Sequence, residues 1–238
     1  MRLFAAVACS VLMLLSQASA GYSQTNGGMA VKIGTLGIGF DGAVAVTDKS
    51  NVRVSADFFN FNHDFDNDGI TLAAHLKMRS VTAQFDWFPT GGGFHVSPGL
   101  MLYNGNRVEA AATTPGGKQF TLGGENLMSN PANPVKGTAT VAFKKVAPMI
   151  TLGWGNIVTR GNRRWTIPVE FGAVFSKAPT ATLGLGGSAC LANGTNCRNI
   201  ATDATLQADV RKQEAKLNDD LSFLKIIPVF SFGFGYRF

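Results

Sequence analysis

Three histidines, a short run of aspartates and two late cysteines are the residues of this chain whose types and spacing suit chemistry. His63, His75 and His95 are its only histidines. With a serine they would serve acyl transfer or lipid hydrolysis, yet no Gly-x-Ser-x-Gly elbow is present to expose a nucleophile. His63 falls in a polar loop and His95 beside a turn, so catalysis is not expected. Asp64-Phe65-Asp66-Asn67-Asp68-Gly69 matches the first half of a calcium loop, with alternate acidic oxygens before a glycine. The twelfth position is His75 rather than a bidentate glutamate. That leaves Asp64, Asp66 and Asp68 as a partial Ca2+ or Mg2+ site on an outer loop, against the plainer reading of a hydrated acidic turn. Cys190 and Cys197 flank a polar turn with no histidine near. A close pair of this kind reads as a disulfide in an oxidising compartment.

The compartment follows from the start of the chain. Arg2 is the only charge in residues 1–20, an apolar run follows it, and Ala18-Ser19-Ala20 is a small-x-small cleavage site. This is the pattern of a secretory signal peptide, too short for a membrane-spanning helix. The mature chain, residues 21–238, is then expected to form one domain. No later apolar run approaches the length of a spanning helix. Lys and Arg total 21 against 15 Asp and Glu, an excess that suits contact with anionic lipopolysaccharide or simply keeps loops soluble. No nucleic-acid signature is present.

The elements that must hold these residues alternate with period two. Phe230, Phe232, Phe234, Tyr236 and Phe238 share one face of a strand, and Ser231, Gly233, Gly235 and Arg237 share the other. Large aromatics opposite small groups fit a wall between lipid and a crowded lumen. Similar alternation marks strands over 30–47, 52–58, 70–88, 94–102, 138–154 and 165–176. The apolar phase slips near Arg79-Ser80, which reads as a β-bulge, and again at Lys144-Lys145. Trp87, Trp154 and Trp165 border short turns, where an interfacial aromatic girdle belongs. Helical spacing of Leu206, Val210, Leu217 and Leu221 predicts an amphipathic helix over 203–221. Seven strands are evident, and single-chain bacterial barrels usually have an even number. The eighth is sought at 118–123 or by dividing 70–88. Long segments 62–69, 112–137 and the helix are expected outside, and the turns at Asp48, Pro89 and Asn156 in the periplasm.

The closing strand resembles that of Gram-negative outer-membrane barrels, in which a terminal Phe and alternating aromatics are read by the barrel-assembly machinery. The whole pattern is similar to the small barrels of the OmpA-transmembrane, OmpX and OmpW kind. Phe85-Asp86-Trp87-Phe88-Pro89 and Leu102-Tyr103-Asn104-Gly105 resemble an uncharacterised proteobacterial outer-membrane group. The resemblance implies an all-β, antiparallel, up-and-down transmembrane barrel of about eight strands in the outer membrane, with lipopolysaccharide and the assembly machinery as partners and no cofactor.

Such a barrel is only wide enough inside for side chains or one small ligand. Alternation aims Asp41, Arg53, Asp57, Lys77, Asp86, Lys145 and Glu170 inward. Buried charges need partners, so opposite signs should pair across the lumen. The expectation is a non-catalytic, structural or narrow porin-like barrel. The alternatives are a surface-interaction protein acting through its long loops and, more remotely, a lipid-modifying enzyme.

Overall fold

Period-two alternation becomes a closed wall in the computed structural model, which describes residues 27–67, 70–158 and 164–238. The expected signal segment, and the remainder of 1–26, lies outside the described residues. Strands β1 (Gly27–Gly34), β2 (Gly37–Thr47), β3 (Ser50–Asn67), β4 (Ile70–Trp87) and β5 (Phe94–Asn104) come first. Then follow β6 (Arg107–Thr114), β7 (Gln119–Leu122), β8 (Glu125–Ser129), β9 (Val135–Ala142) and β10 (Ala147–Trp154). The chain continues with β11 (Trp165–Thr166), β12 (Val169–Phe175), β13 (Thr180–Gly186), β14 (Ser188–Leu191) and β15 (Arg198–Asn199). Helix α1 (Ala204–Asp220) and β16 (Ile226–Arg237) complete it.

Eight strands make an antiparallel barrel in the order β1-β2-β3-β4-β5-β10-β12-β16, and β16 pairs back onto β1 to close it. Closure leaves no unpaired edge, which is what lets strands span lipid. The outer face is half-exposed and apolar: Val31, Phe40, Val54, Phe85, Ile150, Phe171 and Phe232 all point away from the lumen. Phe230, Phe234 and Phe238 continue it on β16 and beyond. Trp87, Trp154 and Trp165 ring the end of the barrel that carries the short turns. There Trp154 meets Phe94 at 5.9 Å between ring centroids, and Trp165 meets Phe234 at 5.0 Å.

The eighth strand was hidden in the first predicted one. Residues 30–47 are the end of β1, a two-residue turn at Thr35 and Leu36, and β2. Gly37 holds φ at +112°, a conformation favourable only to glycine. The stretch 70–88 is not divided, because β4 stays in register with β3 from Asn67↔Ile70 to Ser50↔Trp87. Residues 119–122 do form a strand, but outside the barrel.

The slip near Arg79-Ser80 has a different cause from the bulge expected there. β3 changes its apolar parity at the same level, from Phe58 to Phe59, while the two strands remain paired as Phe58↔Arg79 and Phe59↔Met78. The apolar face switches because the hairpin leaves the barrel at this point. Above it β4 exchanges β5 for β6, pairing Thr71↔Thr113 through Lys77↔Arg107. The register shift of the β4–β5 pair falls on β5, where Val81 faces Tyr103 and Thr82 faces Met101. The slip at Lys144-Lys145 marks the gap between β9 and β10, where the chain re-enters the wall.

Beyond the wall stands a folded module. Its first sheet continues β3 and β4 through β6, β9 and β13. Its second is β15-β14-β8-β7. Helix α1 packs on β13 and β7. Leu122, Leu127, Val135, Ala189, Ile200, Leu206 and Val210 form its core. Residues 112–137, expected as a loop, are therefore largely strand.

Candidate functional site

Inward positions of the wall carry small polar residues such as Ser55, Thr82, Ser97 and Thr151, each nearly inaccessible. Among them sits a charged cluster supplied by six strands. β3 supplies Arg53 and Asp57, and β4 supplies Asp86. Lys32 comes from β1, Asp41 from β2, His95 from β5 and Glu170 from β12. Arg53 is 2% exposed and lies at the centre. Its Nε donates to Asp86 Oδ2 at 3.0 Å and its Nη2 to Asp86 Oδ1 at 2.9 Å. Nη1 donates to Glu170 Oε2 at 2.9 Å, and Nη2 also bonds Glu170 Oε1. Asp41 stands 3.7 Å away on the other side of Nη1. Such fork-to-fork pairs are the strongest form an ion pair takes in a dry site.

The network runs on in both directions. Lys32 Nζ lies 2.9 Å from Asp41 Oδ1 and 3.5 Å from Asp57 Oδ1. His95 Nε2 is 3.0 Å from Glu170 Oε1, and its Nδ1 is 3.2 Å from the Gly93 carbonyl oxygen. Ser97 donates to Asp86 Oδ1 at 2.7 Å. Gly153 has to be glycine here: a Cβ would come within 2.5 Å of His95 Nε2 and 2.8 Å of the Val169 carbonyl oxygen.

Apolar layers close both ends of the lumen. At the short-turn end, Ile157 and Val158 tuck in against Ala30, Ala43 and Ala45. Phe88 is 1% exposed there and its ring lies 5.2 Å from that of His95. At the module end, Leu36, Met101, Ala147, Met149, Val174 and Val229 pack together, with Ile227 against them. The lumen is thus charged in the middle and apolar at either mouth.

Five of the seven residues read as inward, Asp41, Arg53, Asp57, Asp86 and Glu170, meet in this network. Lys77 and Lys145 do not. Lys77 belongs to the part of β4 above the barrel, where its Nζ donates to Glu109 at 2.7 Å. That hydrogen bond holds the Glu109 carboxyl below the usual glutamate range. Lys145 is exposed between β9 and β10. Lys32 and His95 were missed. Lys32 shares parity with Ile38 and Phe40, so an unbroken strand would have aimed it at lipid; the turn at 35–36 reverses that parity. His95, which the sequence places beside a turn, is buried on β5.

Asp64 does not lie in a curved loop. It is on extended β3, opposite Ala73, and Asp66 is at the register position opposite Thr71. Asp68 lies outside the described residues. Asp64 and Asp66 thus take alternate positions of a strand, which lie along its length. A second candidate centre is Asp86, His95 and Glu170, whose ligand atoms lie within 4.8 Å of one another. Arg53 already occupies both carboxylates, so a divalent cation would have to displace a guanidinium.

Cys190 and Cys197 are disulfide-bonded in the module. The helix begins where its spacing predicted. Asp203 caps it, accepting from the backbone amides of Thr205 and Leu206, and these bonds, Leu206's foremost, hold its carboxyl below the usual range.

Neither a family profile nor a curated protein sequence matches the chain. Its fold does match solved structures. CarO of Acinetobacter baumannii is 18% identical over 89% of this chain and 97% of its own, with a TM-score of 0.53. CarO2 of the same organism is 16% identical over 91% of this chain and 100% of its own, with a TM-score of 0.54. The shared fold is that of an outer-membrane barrel. A closed eight-strand wall with a lipid-facing belt and a polar interior belongs in an outer membrane.

Proposed function

We propose that the protein is a non-conducting, non-catalytic outer-membrane barrel whose interior is structural and whose working surface is the module above it. The observation that carries this reading is the stacking of a buried, ion-paired charge network between two apolar layers. Lys32, Asp41, Arg53, Asp57, Asp86, His95 and Glu170 are all at most 9% exposed. An ion entering there would have to break buried pairs, each costly to break, and then cross an apolar constriction. The histidines fit the same reading. His95 is engaged at both ring nitrogens, His75 Nδ1 is 2.9 Å from Asn62 Oδ1, and His63 packs against Phe65 with ring centroids 4.4 Å apart. The reading requires no cofactor, and the outward aromatics of β16 with Phe238 are the face that would meet the assembly machinery.

Single-channel recording of the refolded protein in a planar bilayer tests the proposal. We expect a silent bilayer from protein that still migrates as a folded barrel in SDS before heating. Steady openings that change with Arg53→Gln would overturn it in favour of a narrow channel.

A further inference from the structure

We infer that the rim between barrel and module is a binding site for lipid A, the bisphosphorylated, multiply acylated anchor of lipopolysaccharide. This rests on the outer-membrane placement proposed above, with the module outside. The site is an open groove lined by Lys144, Lys145 and Lys177 together with Val146, Pro148, Phe175 and Ser176. Val146 directly precedes β10, Pro148 begins its lipid-facing row, and Phe175 ends that of β12. The three lysines sit just beyond those row ends, where the wall leaves the membrane.

The next strand adds a fourth cation at the same level. Phe175 faces Ile226 of β16, and exposed Lys225 precedes Ile226 directly. Lys145 also lines an adjoining groove that includes Arg79. Among the described residues, Lys144, Lys145, Lys177, Lys225 and Arg79 make no side-chain ion pair, and no carboxylate lines either groove. By contrast, Lys77 and Arg107 share Glu109. The four lysines, strung over the ends of three neighbouring strands, β10, β12 and β16, exceed what a single phosphodiester needs, and they suit a headgroup with two separated phosphates. The apolar lining offers its acyl chains a row of Val, Pro and Phe. Cations above and hydrocarbon below are the two halves of an anionic-lipid site.

The test is native mass spectrometry of the refolded protein in uncharged detergent, titrated with hexa-acyl bisphosphorylated lipid A. Wild type should retain it. Lys144→Gln/Lys145→Gln/Lys177→Gln should bind on the order of a hundredfold more weakly, since one cation near an anionic surface changes affinity about fivefold. Lys118→Gln/Lys136→Gln/Lys216→Gln on the module should bind like wild type. Equal binding by the rim variant and wild type would overturn the site. Equal retention of phosphatidylglycerol would overturn the choice of lipid A, and displacement by inorganic pyrophosphate alone would reduce the site to one for free phosphate. Heat-modifiable migration establishes that each variant is folded. Should the triple variant fail that check, Lys145→Gln and Lys177→Gln singly give the same ordering. Conductance is read separately, so an open lumen would leave this result standing.

Discussion

Arg53 is the residue on which the lumen turns, because three carboxylates, Asp41, Asp86 and Glu170, converge on one guanidinium. Its replacement by Met would leave those charges buried without their partner. A loss of about 3–5 kcal/mol is expected, visible as a lower temperature for the shift from folded to unfolded mobility in SDS. Arg53→Met combined with Asp86→Asn and Glu170→Gln should recover most of that loss, because the uncompensated charges go with their partner. An equal loss in single and combined variants would mean that packing, rather than charge, holds the layer. Gly153→Ala should also destabilise, by pushing His95 from Glu170.

The module's elements should respond to changes that leave the wall untouched. Asp203→Ala removes the cap of α1 and should speed hydrogen exchange in its first turn while barrel amides stay protected. The Asp203 carboxyl titrates lower in the folded protein than in the unfolded chain. Its contribution is therefore present above the unfolded value and is lost as pH falls through the folded one. Protection of that turn, taken relative to the intrinsic exchange rate at each pH, should fall in acid and stay flat toward alkaline pH. Cys197→Ser opens the short loop to Cys190 and should cost the module about 2.5 kcal/mol by the chain-entropy account, read as faster cleavage there by added protease. The same elements show how far the chain could be read. Helix and disulfide were legible because each is a local signal, a spacing or a pair. The β1–β2 turn was not: Gly34 and Gly37 bracket it, but Ile33 and Ile38 are both apolar, so only the change of parity across Thr35 and Leu36 marked it. Residues 112–137 looked like loop because their strands are short and β8 and β9 each also pair with a strand far along the chain, β14 and β13. The same distance hid the lumen network: alternation gave most of its members but not their pairing, because parity says which face a residue takes and not which residue it meets.

For the molecule as a whole, the turns at Asp48, Pro89 and Asn156 lie at one end and the module at the other, so the two ends should be chemically distinguishable in the cell. Asp48→Cys and Lys212→Cys place single exposed thiols on a turn and on α1. A membrane-impermeant maleimide should label Lys212→Cys on intact cells, and Asp48→Cys only after the envelope is breached. The opposite pattern would invert the orientation.

Besides the upper parts of β3 and β4, the module is built from two separate excursions of the chain, 105–146 and 176–225. They meet where β9 pairs with β13 and where α1 packs on β7. Neither excursion can complete the shared core alone, since Leu122, Leu127 and Val135 come from one and Ala189, Ile200, Leu206 and Val210 from the other. Assembly therefore has a timetable. Both excursions must reach the far side before either can settle, and the second leaves the wall only after β12. The cysteine pair lies within the second excursion and can join early, and the last step is the seam, where Thr35 bonds Phe230 across 195 positions of chain. A cell that slowed transit of the second excursion would hold the first in a half-made state, with its share of the core exposed to water.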